Sequence, residues 1–234
     1  MPARLPEPGF VYFDLDDTIL DHRKAEKRAL ADVRVQHSDI LGTFNKKTIE
    51  DVYHEGNVKL WHQYGAGEIT KPQLQRKRFE YLLDGLAIKG VNPDKMGAYY
   101  IERYTHYWDY IEGAEQAFFQ IAEKYPVGVL TNGFAKTQHK KLAQFATMRD
   151  KLASIVVSEE FGYMKPHPKL FAYAAEQAET PPENIVYVGD SMHSDVKGGQ
   201  QAGWTVIWYA PQTEEAPANV HHARNWDDVT SFLI

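Results

Sequence analysis

The sequence predicts an α/β protein whose core is a Rossmann-like, doubly wound parallel sheet interrupted by a helical insertion. Beyond Gly113, short β-rich runs alternate with stretches of helical spacing, a pattern typical of parallel sheets covered on both faces. Ahead of them, one β-rich run near the N-terminus is followed by residues 21–110, which show helical periodicity alone. We therefore expect a core formed by residues 1–20 and 111–234 and an inserted helical domain formed by residues 21–110.

The first predicted strand ends in a cluster of acids. The run Phe10-Val11-Tyr12-Phe13 favours a buried strand, and three carboxylates follow it directly, those of Asp14, Asp16 and Asp17. Side chains two apart on extended backbone point the same way, so Asp14 and Asp16 would share a face. Like charges at this range repel and raise the pKa of one partner unless a cation compensates. The cluster therefore indicates a bound metal or a proton-transfer role.

Four helices are predicted in the inserted domain, where apolar residues recur at helical spacings. The third begins at Thr70-Lys71-Pro72-Gln73, which has the pattern of a capping box with an early proline, and the fourth begins at Asn92-Pro93. The residues expected to line the apolar faces are Ala25, Ala29 and Val33 in the first helix, Ile49, Val52, Tyr53, Leu60, Trp61 and Tyr64 in the second, Leu74, Phe79, Leu82, Leu83 and Leu86 in the third, and Tyr99, Tyr100 and Tyr107 in the fourth.

Four more strands and a closing helix are predicted in the second half of the chain. The strands are residues 127–130, 153–157, 185–188 and 205–209, all rich in β-branched or aromatic residues. Residues 226–234 have the pattern of a short helix. Between the last strand and this helix we expect a polar loop at residues 211–217, and we expect His221 and His222 to be exposed to solvent.

Composition excludes several classes of protein. Lys and Arg total 26 against 32 Asp and Glu, which gives a formal charge of −6 at pH 7 and argues against a nucleic-acid polymer as partner. The absence of cysteine excludes disulfides and thiolate metal sites. No apolar signal core is present near the N-terminus, and no run reaches the ~18 apolar residues of a membrane span. We expect a cytoplasmic protein, monomeric or homodimeric, without a membrane partner.

Polar residues follow each of the first four predicted strands. The acidic cluster follows the first, Thr131-Asn132-Gly133 the second, and Gly189-Asp190-Ser191 the fourth, while Lys165-Pro166 comes shortly after the third. In open parallel sheets, ligands bind outside the carboxyl ends of the strands. The four clusters would therefore meet at one site, and their carboxylates, hydroxyl, amide and lysine suit Mg²⁺ and a phosphoryl group.

These four motifs and Asp195, in this order and spacing, closely resemble those of the haloacid dehalogenase-like (HAD) hydrolase superfamily. The resemblance spans nearly the whole chain, and the helical insertion resembles the C1 cap of that family. It implies a Mg²⁺-dependent enzyme that acts on a small phosphorylated metabolite through an aspartyl-phosphate. His167 and His193 lie beside two motifs, but an oxygen-rich site favours Mg²⁺ over zinc.

The resemblance assigns a role to each motif by position. Asp14 would attack phosphorus, and Asp16 would serve as general acid and base. The Asp14 carboxylate, the Asp16 backbone carbonyl and Asp190 would hold Mg²⁺. The groups around the phosphate would be Thr131, Asn132, Gly133 and Lys165, and the supporting residues would be Asp195, Thr18 and Ser191. Whether Asp195 contacts the metal directly stays open at this point.

Asp16 limits the types of reaction that the resemblance allows. Dehalogenases of this fold lack a carboxylate at this position and phosphonatases carry a small residue there, so the resemblance favours a phosphatase. A phosphomutase of the same superfamily stays open as an alternative. From other classes, a receiver-type phospho-aspartate switch would carry its motifs in another order, and a non-catalytic phosphate-binding protein would be expected to lack a motif residue.

The substrate would be a nucleoside 5′-monophosphate or a sugar phosphate, because the motifs look most like the branch that contains pyrimidine 5′-nucleotidases and sialic-acid 9-phosphate phosphatases. An aromatic ring of the cap could stack on a base for ~1 to 3 kcal/mol. Helical spacing favours packing within the cap for most of its aromatic residues. These are Trp61, Tyr64, Tyr99, Tyr100, Tyr104, Tyr107 and Trp108. Residues 20–21 and 111–113 are the expected hinge.

Overall fold

A parallel sheet of six strands forms the centre of the computed structural model, which describes residues 4–213, 216–217 and 220–234. The strands are β1 (Phe10–Phe13), β2 (Val127–Thr131), β3 (Leu152–Val157), β4 (Ile185–Gly189), β5 (Thr205–Tyr209) and β6 (His221–Ala223). Their order is β3-β2-β1-β4-β5-β6, and each neighbouring pair is parallel. Because the order runs in opposite directions from β1, the predicted doubly wound sheet is confirmed.

The chain divides into two compact units. One contains the sheet and consists of the described residues up to Asp21 together with Asp109–Ile234, and the other is His22–Trp108. The helices of His22–Trp108 are α1 (His22–Gln36), α2 (Ser38–Leu41), α3 (Lys46–Gly65), α4 (Lys71–Gly85) and α5 (Pro93–Tyr104). The helices of the sheet unit are α6 (Ala114–Ala122), α7 (Ala135–Gln144), α8 (Ala146–Arg149), α9 (Ser158–Phe161), α10 (Pro168–Gln177), α11 (Gly198–Gln201) and α12 (Trp226–Leu233), with single turns at Pro182–Asn184 and Met192–Lys197.

Apolar side chains cover both faces of the sheet. Every residue of β1, β2 and β4 is buried, as expected for central parallel strands. Alternate residues of β1 enter two separate clusters: Phe13 belongs to the cluster that contains Phe118 of α6, and Tyr12 belongs to the cluster that contains Phe171 of α10. The carboxyl ends of β1 and β4 therefore lie side by side at the switch point of the sheet, where ligands bind in this architecture.

Two helices of the helical unit begin at the predicted caps, Thr70 and Asn92. Thr70 and Gln73 form the capping box of α4, and the Asn92 side chain accepts a hydrogen bond from the Asp94 amide at the start of α5. Its core is aromatic, with Tyr53 and Tyr100 ring centroids 5.2 Å apart. No helix in the described part of the chain has the length and apolarity to span a bilayer.

The expectation for His221 and His222 was wrong. Both residues lie in β6, which pairs with β5, and both are half-buried. The ring of His222 packs beside that of Trp208, with centroids 5.3 Å apart. A strand of three residues at a sheet edge is too short to show a strand period, so β6 could not be predicted from the sequence pattern. The predicted loop at residues 211–217 lies partly outside the described residues.

Candidate active site

The loop that follows β1 brings the first acids to the carboxyl edge of the sheet. The Asp14 amide donates to the Val188 carbonyl at 2.8 Å, which continues the pairing of β1 with β4. The chain then turns back on itself, because the amides of Ile19 and Leu20 both donate to the Leu15 carbonyl. Leu15 and Ile19 are fully buried, so their packing anchors a loop that also carries three aspartates, Asp14, Asp16 and Asp17.

Lys165 is buried among acceptors. Its side chain is 2% exposed, and Nζ lies 2.7 Å from Asp14 Oδ1, 2.8 Å from Asp195 Oδ1 and 2.7 Å from the Tyr187 hydroxyl oxygen. An ammonium group has three N–H donors, so each of these contacts can be a hydrogen bond. Burial disfavours the charged lysine, but the carboxylates of Asp14 and Asp195 outweigh it and raise the pKa of Lys165. Lys165 is therefore a fixed cation at this edge of the sheet.

Three carboxylates converge beside this lysine. One oxygen each of Asp14, Asp190 and Asp195 lies within 4.8 Å of the others, and this is the one such group found among the described residues. Burial, opposed by Lys165 and reinforced by the neighbouring acids, raises the pKa of Asp14 to about 7. Burial together with Asp14 and Asp195 raises the pKa of Asp190 well above its ordinary value. A single ammonium thus leaves negative charge uncompensated, and a hard divalent cation with oxygen ligands fits this donor set.

Neighbouring groups hold Asp195 and Asp190 in place. Asp195 is fully buried, and its Oδ2 accepts a hydrogen bond from the Ser191 amide at 2.9 Å. A Cβ at Gly189 would lie 2.6 Å from Asp195 Cβ, so only glycine leaves room for this side chain. Asp190 receives a hydrogen bond from the Trp208 indole at its backbone carbonyl, at 2.7 Å, and the Thr18 hydroxyl lies 3.4 Å from its Oδ1.

The Thr131-Asn132-Gly133 motif joins the end of β2 to the lysine segment. Asn132 Oδ1 accepts from the Lys165 amide at 2.8 Å, and Asn132 Nδ2 donates to the Lys165 carbonyl at 3.0 Å. The Gly133 amide donates to Ser158 Oγ at 3.2 Å. The Asn132 side chain therefore fixes the backbone that carries Lys165, a role that the sequence did not indicate.

Three further residues at the site were absent from the sequence prediction. Gln138 and Lys141 of α7 contact the carboxylate of Asp16, and Tyr187 of β4 contacts Lys165. Gln138 and Lys141 are three positions apart, hence on one face of the helix. The buried Leu142 lies on the same face of α7. Polar residues on the buried side of an amphipathic helix were the signal available. Tyr187 gave none, because a tyrosine in a strand of apolar residues predicts packing.

The histidines beside the motifs have other surroundings. His167 lies at the start of α10, where its Nδ1 accepts from the Lys169 amide at 3.2 Å, and its ring packs 4.1 Å from that of Tyr163. His193 is exposed. Neither belongs to the group of carboxylates described above, so the donors present there are oxygens.

Comparison with known proteins gives a consistent picture. A family model described as haloacid dehalogenase-like hydrolase matches residues 10–203. Pyrimidine 5′-nucleotidase YjjG of Escherichia coli (strain K12) is 32% identical over 214 residues, which are 90% of this chain and 90% of that protein. Glyceraldehyde 3-phosphate phosphatase of Pyrococcus furiosus is 27% identical over 208 residues, 85% of this chain and 79% of the relative.

A solved structure is similar over nearly its full length. HAD-hydrolase YfnB of Bacillus subtilis, bound to magnesium, has a TM-score of 0.81 and 25% sequence identity, and the match covers 96% of this chain and 97% of that one. The range matched by the family model includes every residue of the candidate site, from Asp14 to Asp195.

Proposed function

This chain belongs to the haloacid dehalogenase-like hydrolases and is a phosphoric monoester hydrolase, and from that premise we propose that it uses Mg²⁺ and a covalent phosphate ester of Asp14. The observation that carries the proposal is the Asp14 carboxylate, 2.7 Å from the Lys165 ammonium and grouped with Asp190 and Asp195. An anionic nucleophile next to a buried cation suits attack on a phosphate dianion, which otherwise repels it.

The first step transfers the phosphoryl group to the enzyme. An oxygen of the Asp14 carboxylate attacks phosphorus as the bond from phosphorus to the ester oxygen breaks. The ester oxygen takes a proton from the carboxyl group of Asp16, and the alcohol departs. General acid catalysis of this kind contributes ~10²- to 10⁴-fold, because an alkoxide is a poor leaving group.

The second step releases phosphate. The Asp16 carboxylate takes a proton from a water molecule whose oxygen attacks phosphorus, and the bond from phosphorus to Asp14 breaks. Inorganic phosphate leaves, and both aspartates return to their starting protonation states. Throughout both steps Lys165 and the Thr131 hydroxyl would hold the phosphate oxygens.

The metal would be held by the Asp14 carboxylate, the Asp16 backbone carbonyl and Asp190. When bound, Mg²⁺ supplies positive charge that offsets the repulsion between Asp14 and the phosphate. We assign Asp195 a supporting role, because its two oxygens already accept hydrogen bonds from Lys165 and from the Ser191 amide. In that position it orients the lysine and the loop that carries Asp190.

A pyrimidine nucleoside 5′-monophosphate is the proposed substrate class, with a sugar phosphate second. The similarity to YjjG, at 32% identity over 90% of both chains, supports the first. The similarity to glyceraldehyde 3-phosphate phosphatase, at 27% identity, supports the second. The phosphate and metal groups of the site are common to both, so this choice rests on the relatives.

The test is steady-state hydrolysis with Mg²⁺. We expect turnover of p-nitrophenyl phosphate, and in a panel of nucleotides and sugar phosphates we expect the highest kcat/KM for pyrimidine nucleoside 5′-monophosphates. Release of inorganic phosphate distinguishes a phosphatase from a phosphomutase, which would return an isomeric phosphate. Absence of repeated turnover would favour a phospho-aspartate switch.

The Asp14→Asn variant tests the nucleophile. An amide is a poor nucleophile, so we expect turnover to fall by at least ~10³-fold while the circular dichroism of the variant matches wild type. Asp150→Asn is the matched control, because Asp150 is an exposed aspartate that pairs with Arg149 on the surface, and it should retain the wild-type rate. Wild-type turnover in Asp14→Asn would exclude the covalent route.

A further inference from the structure

Two side chains of α7 donate hydrogen bonds to the carboxylate of Asp16. Lys141 Nζ donates to Oδ1 of Asp16 in a short ion pair, and Gln138 Nε2 donates to Oδ2 at 2.9 Å. Both carboxylate oxygens are therefore engaged by donors from one helix. Since each oxygen has its own donor, the carboxylate cannot rotate about its last bond without losing a hydrogen bond.

Gln138 also connects Asp16 to the end of β2. Its Nε2 donates to the Thr131 hydroxyl oxygen at 2.8 Å, and its side chain is almost fully buried, with 1% of the residue exposed. It reaches that position by passing directly over Gly133, where a Cβ would lie 2.8 Å from Gln138 Nε2. The glycine of the motif thus makes room for the glutamine, and the glutamine sets Asp16 and Thr131 at a fixed separation.

The side chain of Lys141 is almost completely buried, in contrast to lysines at the protein surface. Its side chain is 2% exposed, whereas that of Asp16 is 24% exposed. Removing an ammonium group from water costs several kcal/mol, and an ion pair with good geometry must offset that cost. The Asp16 carboxylate is the partner that offsets this cost, so Lys141 lies against the residue to which we assign proton transfer.

We propose that Lys141 and Gln138 are positioning residues for Asp16. This inference rests on the proposed function, in which Asp16 gives its proton to the ester oxygen and then takes one from water. The ammonium of Lys141 stabilises the carboxylate that Asp16 becomes when the alcohol leaves. Gln138 holds the second oxygen so that Asp16 faces a phosphate bound at Thr131.

The experiment compares two esters that differ in their need for an acid. A p-nitrophenolate leaves without protonation, whereas the alcohol of uridine 5′-monophosphate requires it. For Lys141→Met, which keeps most of the length of the side chain and removes the charge, we expect kcat on the alkyl ester to fall ~10²-fold. On p-nitrophenyl phosphate we expect a fall of less than ~10-fold, with KM for either ester nearly unchanged. Lys141→Arg should recover part of the loss.

Two controls separate positioning from general damage. Lys140→Met changes an exposed lysine of the same helix and should leave both rates unchanged. In the Asp16→Asn background, adding Lys141→Met should lower the alkyl-ester rate by less than ~3-fold, because residues that act through one another are not additive. Additive losses in the double variant, or equal losses on both esters, would overturn the inference.

A second variant covers the case in which Lys141→Met does not fold. Gln138→Leu removes a neutral donor and keeps a similar volume, and we expect a ~10-fold loss on the alkyl ester with little loss on the aryl ester. Equal losses on the two esters would again contradict positioning. If wild-type protein hydrolyses neither ester, the proposed function itself fails, and this result is distinct from a failure of the inference, which requires an active wild type.

Discussion

Both units of this protein bury carboxylates, but the pKa values of these carboxylates are shifted in opposite directions in the two units. In the sheet unit, burial and neighbouring acids raise the pKa of Asp14 and of Asp190. In the helical unit, Glu26 is 3% exposed and burial also works against its charge. Yet the His54 hydrogen bond and the charges of His22, His54 and Arg78 outweigh burial and lower the pKa of Glu26.

The difference lies in what surrounds each carboxylate. Glu26 Oε1 lies 3.2 Å from His54 Nδ1, and Oε2 accepts from Asn57 Nδ2 at 3.1 Å. Its charge is balanced by groups of the protein. Asp14, Asp190 and Asp195 share the ammonium of Lys165, so negative charge is left over. The proposed cation would offset the charge left over among Asp14, Asp190 and Asp195, whereas groups of the protein already balance that of Glu26.

Metal removal tests this distinction most directly. With EDTA we expect activity to fall roughly 10³-fold or more, because several kcal/mol of charge stabilisation are lost, and we expect Mg²⁺ to restore it. Mg²⁺ should also raise the Tm of the protein, since a ligand that binds the native state stabilises it. Recovery with Zn²⁺ but not with Mg²⁺ would contradict the metal assignment.

Glu26→Gln tests the other side of the comparison. Glu26→Gln removes the buried negative charge that lies beside the His54 and Asn57 side chains and Arg78, so we expect the free energy of unfolding at pH 7 to fall by about 1 to 3 kcal/mol. Because the folded state lowers the pKa of Glu26, its contribution is present above the ordinary value of 4.5 and is lost as the pH falls through the folded value. The gap between variant and wild type should therefore narrow below about pH 4.

Chemical denaturation at several pH values measures this gap. Glu55→Gln is the matched control in the same unit, because Glu55 is an exposed glutamate paired with Lys59, and its Tm should match wild type. A gap for Glu26→Gln that is unchanged between pH 7 and about pH 3 would mean that Glu26 is not held as a carboxylate.

Much of the sheet and of the helix starts could be predicted from the sequence, because both follow from local patterns. Four apolar residues before an acid mark the end of β1, and the Thr70 capping box is visible as four consecutive letters. The strand β6 could not be predicted, since its sequence is His-His-Ala and its strand character comes from pairing with β5. A local sequence pattern identifies a strand or a helix only when the element is long enough for the pattern to repeat.

The residues of the candidate site likewise include some that the sequence predicts and some that it does not. Asp14, Thr131, Lys165 and Asp190 come directly after strands or in a motif, so their place along the chain indicates where they lie. Lys141 lies in the middle of a helix and has the appearance of a surface lysine until α7 is packed against the loop that carries Asp16. The environment of such a residue depends on tertiary structure, which a single sequence does not display.

Asp14→Asn should stabilise the metal-free protein, the opposite of the effect at Glu26. The folded state raises the pKa of Asp14 from 3.8 to about 7, so the stability that this group contributes is present below pH 3.8 and is lost as the pH rises through 7. In EDTA at pH 8 we expect Asp14→Asn to raise the free energy of unfolding by on the order of 1 to 2 kcal/mol, and the gain to shrink toward pH 5. Destabilisation at every pH would show that Lys165 already balances Asp14.

Trp208→Phe measures how far the support of the acidic cluster extends into the sheet. The Trp208 indole donates to the Asp190 carbonyl at 2.7 Å from β5, and phenylalanine keeps an aromatic ring without the donor. A neutral hydrogen bond contributes about 1 kcal/mol, so we expect Mg²⁺ to bind roughly fivefold more weakly, as measured by titration calorimetry. Trp204→Phe is the control, because Trp204 is buried against Tyr12 and Phe171 and its loss should lower Tm without changing the Mg²⁺ affinity. Equal affinity in Trp208→Phe and wild type would mean that the Asp190 loop is held by Asp195 and Thr18 without help from β5.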